Sequence, residues 1–188
     1  MLHRQAQRVK RYPPFVRFRT RHYHPLVHAN VIRFLDAAAS SGLELEVVHF
    51  DETTRTAADA AAAIGVEVDQ IVKSLVFGLI HEDGTDETIL ALVAGSNRCD
   101  TDALAAAAEG ARTHRVDADA ARAATGYPIG GVPPFGHATP LRVFIDPHLL
   151  THDVVWAAAG TPNDNFAIAP ADLQRATGAV LAPIGVTG

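Results

Sequence analysis

One stretch constrains the fold more than any other: Gly126-Tyr127-Pro128-Ile129-Gly130-Gly131-Val132-Pro133-Pro134-Phe135-Gly136-His137, four glycines and three prolines in twelve residues. Such a run sustains neither a helix nor a strand. Proline lacks the amide donor that both ladders use, and glycine loses the most backbone freedom when ordered. The fold must therefore carry a long irregular loop between a helical pattern that ends at Gly126 and a strand pattern at 141–145. Glycine lets a ligand approach the backbone, and proline holds the loop rigid before binding. A rigid structural crossover has the same composition, and the residues alone leave both readings open. The loop is not a phosphate-binding Walker loop, because no Gly-Lys-Ser/Thr follows, and its glycine spacing is not that of a dinucleotide site.

The rest of the chain reads as alternating elements. An apolar stripe from Val31 runs to a C-cap at Gly42, and a strand is expected over 45–50. Thr56 can cap a helix over 57–64 that Gly65 closes. Residues 71–80 and 88–93 are rich in β-branched residues and flank a turn-prone His81-Glu82-Asp83-Gly84, which predicts a hairpin. Asp100 or Thr101 can cap a helix that Gly110 ends, and Asp117 can cap one over 118–125. Strands are expected at 141–145, 154–158 and 166–169, with a turn-rich link at 160–165. Pro170 fits the first position of a helix to Thr177, and 180–181 can form a last short strand. Several strands follow one another without an intervening helix. That pattern predicts an α+β fold with a mixed, partly antiparallel sheet rather than a doubly wound parallel one.

Composition narrows the class. With 188 residues, 48% of them hydrophobic and 20% charged, the chain can bury one core. No apolar run approaches the ~20 residues that span a bilayer, so no membrane role is expected. The single cysteine, Cys99, excludes an internal disulfide, a cysteine-rich zinc site and a CxxC redox centre. With no signal-peptide pattern, it points to a reducing cytoplasm. The net charge of −5 hides a split. Residues 1–25 hold seven basic residues and no acid; residues 26–188 hold nine basic and all 21 acidic residues, a net of −12. The first segment reads as a basic N-terminal arm without periodicity, either loosely ordered or an electrostatic contact to nucleic acid. Residues 26–188 read as one domain.

Few residues suggest chemistry. Lys73 is the only lysine besides Lys10, and it sits in the apolar run Ile71-Val72-Lys73-Ser74-Leu75-Val76-Phe77. Either it faces water from an edge strand, or it lines a pocket and supplies positive charge where a carbonyl becomes an oxyanion. His137 ends the loop and can orient a substrate or serve the structure. His148 and His152 are four apart, but no HExxH surrounds them and Pro147 and Thr151 suggest a turn, so they are not read as a metal site. Cys99 reads as a packing residue.

The succession Thr56-Ala57-Ala58-Asp59-Ala60-Ala61, Ile71-Val72-Lys73-Ser74-Leu75-Val76-Phe77, the loop 125–137, Val143-Phe144-Ile145-Asp146 and Ala158-Ala159-Gly160-Thr161-Pro162 with Phe166-Ala167-Ile168-Ala169-Pro170-Ala171-Asp172-Leu173 resembles the YbaK/EbsC family. These are free-standing relatives of the editing domain of bacterial prolyl-tRNA synthetases, and the resemblance covers roughly 28–184. It implies the editing-domain fold, a mixed and partly barrel-like sheet flanked by helices. It implies hydrolysis of the ester of a mischarged aminoacyl-tRNA, usually alanine, cysteine or a similar small residue on proline tRNA. It also implies no metal and no cofactor. The family's key lysine falls on Lys73. Its substrate loop falls on Gly130, Gly131, Val132 and Pro134, with Phe135, Gly136 and His137 beside it; Ser74 and Gly160 complete the expected substrate site. Ser74 stands where an alanine-specific branch often has asparagine, which leaves the amino acid open. The expected partners are the acceptor end of aminoacyl-tRNA and prolyl-tRNA synthetase, with monomer and homodimer both open. The rival class is a non-catalytic nucleic-acid or small-ligand binding module using the same cleft.

Overall fold

The computed structural model describes residues 16–19, 27–51 and 54–188. In chain order its elements are β1 (Val16–Arg19), α1 (Ala29–Ser40), β2 (Glu46–His49), α2 (Ala57–Ile64), β3 (Val72–Ile80), β4 (Asp86–Ala94), β5 (Asn97–Cys99), α3 (Thr101–Ala107), β6 (Arg112–Arg115), α4 (Ala118–Thr125), β7 (Arg142–Ile145), β8 (Val155–Ala158), β9 (Asp164–Ile168), α5 (Pro170–Thr177), β10 (Val180–Leu181) and β11 (Gly185–Thr187). Short 3-10 turns at Val68–Gln70 and Pro147–Thr151 precede β3 and β8.

The helices begin where the sequence supplies caps. Thr56 accepts from the Asp59 amide while the Asp59 carboxylate accepts from the Thr56 amide, a reciprocal box that starts α2. Asp100 and Asp117 cap α3 and α4 through the same kind of side-chain acceptor. Pro170 opens α5 without a side-chain cap, since its missing amide needs none.

The strands form two main sheets. One is antiparallel, in the order β1-β2-β9-β8; the other is mixed, β10-β7-β4-β3-β6, with β4 parallel to β7 and antiparallel to β3. A parallel bridge between Ile71 and Trp156 joins the start of β3 to β8 and so links the two sheets. β5 and β11 make a small ribbon. The hairpin β3–β4 forms as its sequence suggests, closed by the His81 amide on the Thr85 carbonyl.

β4 explains why the mixed sheet is central. Leu90, Leu92 and Ala94 face one apolar cluster with Phe34, Leu35, Tyr127 and Phe166. Ile89, Ala91 and Val93 face a second with Leu79, Leu104 and Phe144. A strand apolar on both faces is buried on both faces. The α+β architecture and mixed sheet are those the sequence suggested.

Four of the described strands have no counterpart in the sequence reading. β5, β6 and β11 are only three or four residues long, and Arg112-Thr113-His114-Arg115 carries no apolar alternation. These strands exist because of pairing with neighbours: β6 lies along Phe77–Ile80, and β11 along β5. β1 falls inside the segment read as a basic arm and pairs with β2. The rest of residues 1–25 lies outside the described residues. Among the described residues no helix is long and apolar enough to cross a membrane.

Candidate functional site

β3 has two kinds of edge. One side pairs with β4 along its full length. On the other, β6 pairs only from Phe77 to Ile80, and the Trp156 bridge sits at Ile71. Among the described residues, no strand covers residues 72–76 on that side. Alongside this gap lies a cleft with two lobes. The smaller, about 350 Å³, is walled by Ala57, Ala60, Val72 and Ala158, with Thr54 and Asn165 as polar groups. The larger, about 670 Å³, adds Phe77, Arg98, Cys99, Thr101 and Arg115. Lys73, Ser74, Leu75, Ile129, Gly130 and Val132 line both.

Lys73 is held from behind. Its ammonium donates to the Gly95 carbonyl at 3.1 Å and to the Asn97 carbonyl. An ammonium has three N–H donors, so two are taken by the turn after β4 and one is left for a ligand. Burial lowers the Lys73 pKa from the ordinary lysine value. The Asn97 side chain in turn donates to the buried Asp146 carboxylate at 3.4 Å. Ser74 differs: its Oγ is buried and has no hydrogen-bond partner among the described residues. A buried hydroxyl without a partner costs stability, and here it sits on the wall of both lobes.

The Gly/Pro loop divides in two. Its base is tied by the Ala138 amide to the Thr125 carbonyl. Tyr127 is fully buried and donates to the Gly136 carbonyl at 2.9 Å, and His137 Nε2 donates to the Pro133 carbonyl at 2.8 Å. Phe135 packs on Phe34, with ring centroids 5.1 Å apart, and edge-on to Phe166. These contacts turn residues 133–137 into the core. Residues 128–131 form a turn closed by the Gly131 amide on the Pro128 carbonyl. Gly130 takes φ +84 at its third position, as a type II turn requires. That turn faces the cleft.

The expected site residues therefore separate. Lys73, Ser74, Gly130 and Val132 meet at the cleft. Gly131 stands behind it: a Cβ there would come within 2.7 Å of the Thr161 backbone. Pro134, Phe135, Gly136 and His137 line neither lobe, because the aromatic contacts and the Tyr127 and His137 hydrogen bonds draw that half of the loop inward. Gly160 also lies off the cleft, where its carbonyl accepts from Asn30 and a Cβ would meet the Asn30 backbone at 2.9 Å. Cys99 lines the larger lobe, but burial, with Asp100 and Asp146 nearby, drives its thiol up to about 11. That makes it a poor nucleophile.

Sequence reading missed three groups of residues here. Thr54 and Asn165 form a polar corner in which Asn165 donates to Thr54 Oγ1 at 2.7 Å. Arg55, Arg98 and Arg115 rim the cleft, exposed, and form no ion pair among the described residues. Asn97 and Asp146 hold the turn that holds Lys73. The arginines carried a signal in their charge, but nothing in their spacing assembled them.

The chain is similar to known proteins. A model of the aminoacyl-tRNA editing domain matches residues 51–176. The uncharacterized protein YwhH of Bacillus subtilis (strain 168) is 32% identical over 132 residues, covering 70% of this chain and 81% of that protein. A solved structure described as a candidate trans-editing enzyme for prolyl-tRNA synthetase is 40% identical, with a TM-score of 0.77 over 85% of this chain and 99% of its own. The crystal structure of a hypothetical protein is 28% identical, with a TM-score of 0.73 over 82% and 99% of the two chains. The editing-domain match takes in Lys73, the whole Gly/Pro loop and both walls of the cleft, and the chain belongs to the aminoacyl-tRNA editing domain family.

Proposed function

We propose that this chain is an aminoacyl-tRNA deacylase, acting in trans on a small amino acid such as alanine or cysteine wrongly attached to proline tRNA. The observation that carries this reading is the convergence of the Lys73 ammonium, the Ser74 hydroxyl and the Gly130 turn on the stretch of β3 that no described strand covers, with the Ser74 hydroxyl unpartnered among the described residues.

An aminoacyl ester is already activated, so positioned water suffices as the nucleophile. Water adds to the ester carbonyl carbon, and the carbonyl oxygen gains negative charge. The C–O bond to the ribose then breaks, and the proton lost by water goes to the departing ribose oxygen. Lys73 supplies fixed positive charge where that negative charge forms, or at the terminal phosphate; separate effects on kcat and KM distinguish the two. The smaller lobe has aliphatic walls and a few polar groups, and it suits a short side chain. The larger lobe, with Arg98 and Arg115, suits the terminal nucleotide. A small pocket with rigid walls admits small residues and excludes larger ones.

The test is a panel of tRNAs charged with alanine, cysteine, serine and proline. The reading expects one or more small mischarged residues to be released much faster than correctly charged proline. Binding without release from any of them would favour a non-catalytic binding module. Association with prolyl-tRNA synthetase is part of the same proposal and is checked by co-sedimentation.

A further inference from the structure

Away from the cleft, the 3-10 turn before β3 meets the one before β8. Asp69 Oδ2 lies 2.6 Å from His148 Nε2 and 3.5 Å from His152 Nε2. One ligand atom from each of the three falls within 4.8 Å of the others. None of the three lines either lobe. We propose that Asp69, His148 and His152 form a binding site for a divalent transition metal, with Zn²⁺ the best fit.

Three observations support it. The donor set is two imidazoles and one carboxylate, which suits Zn²⁺ and its neighbours and not Mg²⁺, an all-oxygen ion. The spacing is close to what a metal needs. Ligand bonds of about 2.0–2.2 Å at tetrahedral angles put neighbouring donor atoms about 3.3–3.5 Å apart. The His152 contact already has that separation, and the His148 contact needs to open by somewhat under 1 Å. Third, His152 Nε2 is buried and has no hydrogen-bond partner among the described residues, although it faces Asp69. A pure hydrogen-bond network would satisfy that atom; a metal would do so directly.

The surroundings suit a ligand cluster. Ser96 donates to the other oxygen of Asp69, fixing the carboxylate as an outer-shell partner would. Binding requires the Nε2 lone pair of each imidazole, so a neutral ring carries its proton on Nδ1 once the metal is bound. Both histidines lie in or next to a five-residue 3-10 turn whose backbone keeps them on one side, with ring centroids 5.8 Å apart. The site would also reach Lys73 indirectly. Ser96 stands between Gly95 and Asn97, whose carbonyls hold the ammonium, and a Cβ on Gly95 would strike the Val68 carbonyl at 2.2 Å. A metal here would clamp two turns and the support of Lys73, without touching substrate.

The test uses the full chain, treated with chelator and desalted. Titration with ZnCl₂ by calorimetry should show one equivalent bound at micromolar affinity or better, with a rise in Tm, and MgCl₂ should give neither. Co²⁺ should give the visible absorption of a low-coordinate site. His152→Gln is the decisive variant, because that side chain makes no hydrogen bond through Nε2 among the described residues. It should keep the metal-free Tm and weaken Zn²⁺ binding about tenfold or more. Asp69→Asn should do the same to binding, while also disturbing the Ser96 and His148 contacts. No stoichiometric Zn²⁺ binding would overturn the proposal, as would binding that His152→Gln leaves unchanged.

Discussion

The Lys73 ammonium is bound by the backbone carbonyl of Asn97, twenty-four residues along the chain, and so its position is set by a turn rather than by a neighbouring carboxylate. Carbonyl acceptors hold the group in place without cancelling its charge. Lys73→Ala should therefore abolish deacylation. The change in stability should stay within about 1–2 kcal/mol, because Lys73 lines the cleft and removing its side chain opens a path for water to the freed carbonyls. Single-turnover assays beside denaturant melts check this; wild-type rates in the folded variant would contradict the proposed role.

Ser74 should show the opposite balance. Its Oγ is buried without a partner among the described residues, so Ser74→Ala removes a polar group that they leave unsatisfied. The variant should be as stable as wild type or more so, by up to roughly 1–2 kcal/mol, and should deacylate more slowly. A lower Tm for Ser74→Ala would show that the hydroxyl serves the fold.

The two adjacent loop glycines should respond differently. At Gly131 a new Cβ would meet the Thr161 backbone at 2.7 Å, and backbone yields poorly. Gly131→Val should lose roughly 2–3 kcal/mol of stability or more. Gly130→Ala points at the flexible Arg55 side chain at 3.0 Å, on the cleft wall. It carries a left-handed backbone strain of about 1–2 kcal/mol and should cost more in kcat/KM than in folding. Urea melts and deacylation rates on both variants separate the two.

Arg98 and Arg115 rim the larger lobe, exposed and without ion pairs among the described residues. If each meets a tRNA phosphate, Arg98→Ala and Arg115→Ala should each lower the salt slope of log affinity by about 0.7–0.9. The rate on saturating substrate should hold. An unchanged slope in both variants would place the tRNA backbone elsewhere.

His137 gives a pH signature. Burial pulls its pKa below the ordinary histidine value, partly opposed by the Pro133 carbonyl that accepts from it. The folded chain therefore binds this proton less readily than the unfolded chain. The stability contribution is complete above the unfolded pKa of about 6.5 and is lost as pH falls through the folded pKa, at up to about 1.4 kcal/mol per pH unit. Wild type should lose more stability than His137→Gln between pH 7 and 5. Parallel curves would assign the acid sensitivity to other groups.

Much of this was legible in the chain. The Thr56, Asp100 and Asp117 caps and the closing glycines Gly65 and Gly126 are local signals, and the helices form where those residues stand. The β3–β4 hairpin was equally plain, since one turn joins its two apolar runs. The site was readable only in part. Lys73 and Gly130 stood out by type, but nothing local says that Phe135 turns inward onto Phe34 while Ile129 stays at the cleft. Nor could spacing bring Asp69 to His148, seventy-nine residues away, or show that Asn97 contributes its carbonyl rather than its side chain to Lys73. Those relations are made by tertiary packing and leave no periodic trace.

The stretch of β3 that no described strand covers also bears on self-association in a crowded solution. An unpaired strand edge is a template onto which a foreign strand can add, the usual first step of aggregation. Here that edge is five residues long, bounded by the Trp156 bridge at one end and by β6 at the other. Lys73 sits within it, and Arg55 and Arg115 stand at its rim. A visiting strand would have to displace the braced Gly130 turn and desolvate three cations to gain a few hydrogen bonds. The charges proposed to meet tRNA would thus also act as gatekeepers against self-assembly, and neutralising them should be felt first in solubility.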